Sequence, residues 1–167
     1  MIAFANGATQ FFAPTHLLAV VALGLLVGQQ AIRLLVPIAA LAIGLAVGSV
    51  VIASAIRDNP AAPALLVLAA IAAGLTIIDR PLSLWAAAGL ALAIGAALAL
   101  NAPPQEFTIH AAIVAQLSFA LAAILAFALA TLVAARAKVR WQRIGVRIVA
   151  SWIVASAILV LALRLAR

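Results

Sequence analysis

The sequence predicts an all-helical membrane bundle of six transmembrane helices in a single domain, residues 1–167, and two observations carry this prediction. Hydrophobic residues make up 69% of the chain and charged residues only 8%, too little polar surface to coat a water-soluble globule. A membrane-spanning helix needs roughly 20 apolar residues, and short polar breaks divide the chain into six segments near that length. Almost no chain is left for a domain outside the bilayer.

The first three spans are expected at residues 16–33, 34–56 and 60–78. Thr15 is the predicted N-cap of the first span, because its hydroxyl can accept from an unpaired N–H at the helix start. Pro37 is tolerated in the first turn of the second span, and Asn59 before Pro60 is the predicted cap of the third. Residues 1–7 lack the basic region of a signal peptide, and their apolar stretch is too short to span, which predicts an exposed or interfacial segment.

The last three spans are expected at residues 82–100, 109–135 and 144–163. The segment 101–106 combines Asn, two Pro, Gln and Glu, which predicts a loop between the fourth and fifth spans. Thr108 then caps the fifth span. That span, roughly 27 residues long, is expected to tilt or to emerge from the hydrocarbon. Trp85, Trp141 and Trp152 are expected near span ends, where interfacial anchoring is typical of tryptophan.

The basic residues are distributed unevenly among the predicted loops. Those between the fifth and sixth spans are Arg136, Lys138, Arg140, Arg143 and Arg147. Together with Arg33 and Arg80 they place seven basic residues on one side, against Arg57, Arg164 and Arg167 on the other. Because Lys and Arg accumulate in cytoplasmic loops, the sequence predicts a bacterial inner-membrane protein with both termini in the periplasm. Anionic lipid headgroups, rather than nucleic acid, are the expected partners of the basic cluster.

The residue inventory argues against catalysis. The chain has no cysteine, which excludes disulfides, thiolate metal sites and thiol nucleophiles. No Ser/His/Asp set, H-E-x-x-H pair or phosphate-binding glycine loop is present. The sequence therefore predicts a non-enzyme, and no cofactor is evident.

Two histidines are the main candidates for a metal site. His16 and His110 each fall in the first turn of a predicted span, and the predicted topology puts both at the periplasmic face. Neutral imidazole binds nickel, cobalt, copper and zinc, and Glu106 could add an oxygen ligand. The positive end of a helix dipole disfavours a bound cation, and two interfacial histidines without a ligand are the alternative. A transition-metal ion would be substrate rather than cofactor.

Polar and small residues inside the spans suggest packing roles. Gln116 is the least expected polar side chain, and it is assigned either to a permeation path or to an interhelical hydrogen bond. Two G-x-x-x-G patterns, Gly24 with Gly28 and Gly44 with Gly48, clear a helix face so that a second backbone can approach. No mid-membrane carboxylate is predicted that could relay protons.

The stretch from Phe12 through Pro14, Thr15 and His16 to Gly24, together with Gln29-Gln30 and the closing run around Ser151-Trp152, resembles the HupE/UreJ family of small six-span bacterial membrane proteins. The resemblance covers nearly the whole chain and implies nickel or cobalt uptake. The family typically carries H-P-x-x-G-x-D-H in its first span. His16 matches the last histidine, whereas Thr15, Ala13 and Thr9 replace Asp, Gly and the first His.

These features give three functional hypotheses. The first is a permease, or permease accessory, for a divalent transition metal such as nickel or cobalt, with His16, Glu106 and His110 at its periplasmic entrance. The second is a structural or assembly subunit that docks onto a larger membrane complex. A carrier of lipid or small apolar molecules is a third. A permease predicts a monomer or homo-oligomer, whereas a subunit predicts foreign partner chains.

Overall fold

The computed structural model describes residues 2–30, 34–53, 61–78, 82–103 and 108–166, and these residues form seven helices. The helices are α1 (Ile2–Phe11), α2 (Pro14–Gln29), α3 (Leu35–Ala53), α4 (Ala61–Ile78), α5 (Leu84–Asn101), α6 (Ile109–Arg136) and α7 (Arg140–Leu165). The all-helical prediction is confirmed. Asn59, Glu106 and the basic residues Arg33, Arg57, Arg80 and Arg167 lie outside the described residues.

Three of the helices, α5, α6 and α7, are long and apolar enough to cross a membrane. Helices α1 and α2 meet at an angle of 66° and together count as a fourth, broken span. Helices α3 and α4 contribute shorter apolar stretches, Leu35–Val51 and Pro63–Ile78. The described chain therefore has three or four candidate spans, an architecture typical of a multi-pass membrane protein.

The N-terminal segment forms a helix that packs one face against the bundle and leaves Phe4 52% exposed; its position relative to the membrane interface stays a prediction. Helix α1 lies against α6, where Gly7 meets the backbone of Ala115 and the hydroxyl of Ser118. Phe11, at the end of α1, is 2% exposed and makes an edge contact with Phe119, with 5.8 Å between ring centroids. The prediction missed this helix because ten residues are too few to span, although they suffice to pack against a neighbour.

The observed start of one helix, α6, agrees with its prediction, whereas the starts of α2 and α7 differ from theirs. Thr108 is the N-cap of α6, and its hydroxyl accepts from the Ala111 N–H at 3.3 Å, as predicted. The prediction for Thr15 is wrong, because α2 starts two residues earlier than expected, at Pro14, with Ala13 as its N-cap. The fixed φ of proline suits this first helical position. Helix α7 begins at Arg140 rather than 144, and the Gln142 side chain accepts from the Val139 N–H at its start.

Trp152 also departs from its prediction. It lies in the middle of α7 and is 73% exposed, so it faces outward far from either helix end. Trp85 and Trp141, in contrast, lie in the first turns of α5 and α7 and are exposed there. Only these two positions fit interfacial anchoring.

Glycines join two pairs of parallel helices. Gly24 of α2 faces Ala130 of α6, and Gly28 faces Ala134; a Cβ atom on either glycine would lie 2.5 Å and 2.6 Å, respectively, from the alanine Cβ. Because the contacts advance together along both helices, α2 and α6 run in the same direction. Their small residues allow the close approach that drives helix association in lipid.

The second pair is α3 and α5, the most extensive helix contact in the described chain. Gly44 faces the carbonyl of Leu92, and Gly48 faces that of Ala96, so this pair is parallel as well. Gly95 of α5 belongs to the same contact, since a Cβ there would lie 3.2 Å from the Gly44 Cα. All four glycines of the G-x-x-x-G patterns thus lie at helix crossings.

The bundle has two ends, which are named here by their residues. At the histidine end, His16 at the start of α2 contacts Asn101 at the end of α5. At the basic end, Gln30 after α2 accepts from the Leu82 N–H before α5 at 2.8 Å. The start of α7, with Arg143, also lies at the basic end, where it shares a cavity with the end of α2. Helices α2 and α5 are therefore antiparallel.

Candidate functional site

His16 is the only ionisable side chain that is buried among the described residues, with 3% of its surface exposed. It lies in the first turn of α2, directly after the break that separates α1 from α2. Its ring meets Phe119 of α6 edge-on, with 5.4 Å between ring centroids and 89° between planes. The side chain is thus held between three helices at the histidine end.

Both ring nitrogens of His16 have hydrogen-bond partners. Nδ1 lies 3.1 Å from the carbonyl oxygen of Gln10, and Nε2 lies 3.0 Å from Nδ2 of Asn101. A carbonyl can only accept, so Nδ1 carries the proton and donates to Gln10. Nε2 then keeps its lone pair and accepts from the Asn101 amide. This pattern describes a neutral imidazole, the form suited to a site surrounded by apolar side chains.

His110 lies far from this ring. It is exposed in the first turn of α6, nine residues before Phe119, the residue that His16 contacts. At 1.5 Å per residue, nine residues correspond to roughly 13.5 Å along the helix axis. The structure therefore does not bring the two imidazoles together, because α2 meets α6 well beyond its first turn.

The rest of the predicted metal entrance is absent from the described chain. Glu106 lies outside the described residues. Within the part that is described, no group of three His, Cys, Asp or Glu side chains comes close enough to hold a metal ion. His16, Asn101 and Gln10 are the polar residues that the structure does gather at the histidine end.

Gln116 forms an interhelical hydrogen bond. Its Nε2 donates to the hydroxyl of Ser49 on α3 at 2.9 Å, and that hydroxyl donates in turn to the Leu45 carbonyl at 2.7 Å. The chain of bonds ties α6 to α3 within the bundle, the second of the two predicted roles. A role for Gln116 in permeation stays a prediction.

The buried hydroxyl groups bond within their own helices. Thr76, Ser118 and Thr131 donate to the carbonyls of Ala72, Ala115 and Phe127, at 2.9, 2.8 and 2.8 Å. Such local bonds satisfy the hydroxyls without another helix. They add no donor or acceptor that faces His16.

No sequence pattern indicates the partners of His16. The sequence predicts Asn101 in a loop, whereas it is the last residue of α5 and its side chain bonds to His16 of α2. Gln10 participates through its backbone carbonyl, which any residue type would supply. Gln10 also donates from its side chain to the Pro103 carbonyl, just after α5, at 3.2 Å. The end of α1 is thus connected to the end of α5 in two ways, directly by this bond and indirectly through the His16 ring.

The basic residues divide into two groups at the basic end. Lys138, Arg143 and Arg147 line the cavity, whereas Arg136 and Arg140 are exposed and are not among its lining residues. Arg147 is half-buried against the helices.

No protein-family profile, curated protein or solved structure matches this chain.

The hydrogen bonds of His16 determine which ligands the histidine end can bind. A histidine that ligates a metal typically donates its second N–H to a carbonyl or carboxylate, which fixes the tautomer. His16 has this arrangement, with Nδ1–H bonded to Gln10 and the Nε2 lone pair directed at a neutral amide. One imidazole and one amide make a weak donor set for a transition metal.

Proposed function

We propose that the chain is a six-span protein of the bacterial inner membrane, with α2 to α7 as its spans and both termini in the periplasm. The helix directions support this proposal. Alternating spans require the first and fifth to be parallel, and likewise the second and fourth, which is how α2 pairs with α6 and α3 with α5. The basic end, with Arg136 to Arg147, would then face the cytoplasm.

Within that topology we propose a HupE/UreJ-like role as a permease, or permease accessory, for a divalent transition metal such as nickel or cobalt. The observation that supports it is the His16 ring, whose Nδ1 proton is fixed by Gln10 and whose Nε2 lone pair meets only the Asn101 amide. An incoming cation would replace one neutral hydrogen bond at Nε2. Weak binding of this kind suits an ion that has to leave again.

The test is metal accumulation in cells that express His16→Ala or His110→Ala, measured per amount of folded protein. Loss of the one buried ligand is expected to lower nickel or cobalt uptake about tenfold or more. His110→Ala is the matched control, since it removes an exposed histidine from the first turn of the paired helix, and its uptake should stay unchanged. Wild-type uptake in His16→Ala would disprove the metal role.

A second candidate is a structural or assembly subunit of a larger membrane complex, and a different observation favours it. The polar side chains in the middle of α6 already have partners: the hydroxyls of Ser118 and Thr131 bond within α6, and Gln116 is bonded to Ser49. The pairs α2 with α6 and α3 with α5 pack closely at their glycines. Polar side chains that are bonded to one another stabilise the packing of the helices, as expected of a structural subunit.

Purification in mild detergent separates the two candidates. A permease is expected to elute as a monomer or homo-oligomer, whereas a subunit is expected to elute with other chains in fixed ratio. Elution of the pure chain, with metal uptake intact, would exclude the subunit role.

A further inference from the structure

A cavity of about 420 Å³ opens at the basic end between α2, α6 and α7. Its volume falls within the roughly 300–1,000 Å³ that is typical of ligand sites. Gly28 and Gln29 at the end of α2, and Ala134 and Ala135 at the end of α6, form one wall of it. The cationic side chains of Lys138, Arg143 and Arg147 form the remaining wall.

The positions of these cations follow from the sequence. Arg143 and Arg147 are four residues apart on α7, so they project from the same face of the helix. Lys138 lies in the connection between α6 and α7 and also lines the cavity. Among the described residues, those that line the cavity include no carboxylate.

The electrostatic balance strongly favours an anion. The C-terminal ends of α2 and α6 each contribute about half a negative charge and the start of α7 about half a positive one. The two cationic charges of Lys138 and Arg143 alone outweigh these dipoles and leave the cavity with about one and a half positive charges. Arginine and lysine are the side chains that bind phosphate groups, by forked hydrogen bonds and as a point charge, respectively.

An apolar groove of about 440 Å³ lies on the other side of the α6–α7 connection and shares Ala137 with the cationic cavity. Its walls include Leu25, Val133 and Val149, and Trp141 stands exposed at its edge. Gly145 leaves the groove open, since a Cβ atom there would meet nothing within 4 Å. Tryptophan is enriched at the level of lipid headgroups.

We propose that the cationic cavity binds the phosphate of an anionic phospholipid and that one acyl chain of the same lipid lies in the apolar groove. The positive charge of the cavity favours a phosphate group, and the adjacent apolar groove favours an acyl chain. A phospholipid can occupy both, whereas a free anion can occupy only the cavity. Basic pockets between membrane helices on the cytoplasmic side bind such headgroups. The site depends on the membrane location of the chain and is independent of the metal role of His16.

The test uses the full chain, purified in detergent, with phosphatidylglycerol as the probe and native mass spectrometry as the readout. Arg143→Gln is compared with Arg140→Gln, which removes the same charge from the same exposed helix start but does not line the cavity. Arg143→Gln is expected to weaken lipid binding about fivefold, the effect of one basic residue near a lipid surface, and Arg140→Gln less than twofold. Equal effects would mean general attraction and would overturn the site.

A second variant separates a lipid from a free phosphate. Gly145→Leu fills the groove without touching the cations, and the open space at Gly145 lets the helix accept the side chain. It is expected to weaken binding of phosphatidylglycerol while Lys138, Arg143 and Arg147 remain in place. Unchanged lipid binding in Gly145→Leu, or displacement of the lipid by inorganic phosphate at equal concentration, would show a small-anion site and refute the lipid proposal.

Discussion

Gly44→Val is expected to destabilise the bundle by about 3 kcal/mol, the upper range for overpacking in a well-packed interior. Any Cβ at Gly44 collides with the backbone carbonyl of Leu92, and a backbone carbonyl cannot rotate away as a side chain can. In lipid, helix pairs are held by close packing rather than by the hydrophobic effect, so separating α3 from α5 removes their main source of association. The measurement is the free energy of unfolding in detergent, followed by circular dichroism.

Gly89→Val is the matched control for this variant. Gly89 lies on α5, the partner helix, but it is exposed and has open space around its Cβ position. The change in stability there is expected to stay within about 0.5 kcal/mol. Equal stability of Gly44→Val and Gly89→Val would contradict the close contact of α3 with α5.

Asn101→Leu is expected to destabilise the protein by about 1–3 kcal/mol, the cost of leaving a buried polar atom without its partner. The atom is Nε2 of His16, whose lone pair accepts from the Asn101 amide at 3.0 Å in a ring that is 3% exposed. No other donor to this nitrogen is present among the described residues. Unfolding in detergent measures the loss.

A double-mutant cycle isolates the His16–Asn101 interaction. Replacing both residues with leucine removes the donor and the acceptor together, so the double variant should recover about 1 kcal/mol relative to the sum of the two single variants. Ser151→Ala serves as a reference, because the exposed Ser151 hydroxyl bonds only to the Ile148 carbonyl of its own helix. Strictly additive losses at His16 and Asn101 would mean that the bond contributes nothing.

The helices were predictable because each depends on local pattern. Apolar runs of suitable length, separated by Pro, Asn and charged residues, are enough to place α2 to α7 within a few residues. The cap at Thr108 was predictable for the same reason, since its hydroxyl bonds only three residues ahead. The start of α7 at Arg140 was not, because a helix can extend its charged first turns beyond the apolar segment.

The neighbours of His16 could not be predicted, because they depend on how one helix slides along another. Spacing along the chain puts His16 and His110 at the same end, but only the contacts of Gly24 and Gly28 determine the register of α2 on α6. That register puts Phe119 beside His16 and leaves His110 more than two turns away. Apolar helices rich in Gly and Ala offer several similar registers, and the sequence does not rank them.

The pairing of α2 with α6 and of α3 with α5 has a consequence for biosynthesis. During translation, α2 and α3 reach the bilayer well before their partner helices α6 and α5 have been synthesised. The glycine-lined faces around Gly24 and Gly44 consequently meet acyl tails first, and their native neighbours must later displace those tails. Assembly of this protein thus requires its C-terminal half. A chain truncated after α4 would lack the glycine contacts of α2 with α6 and of α3 with α5.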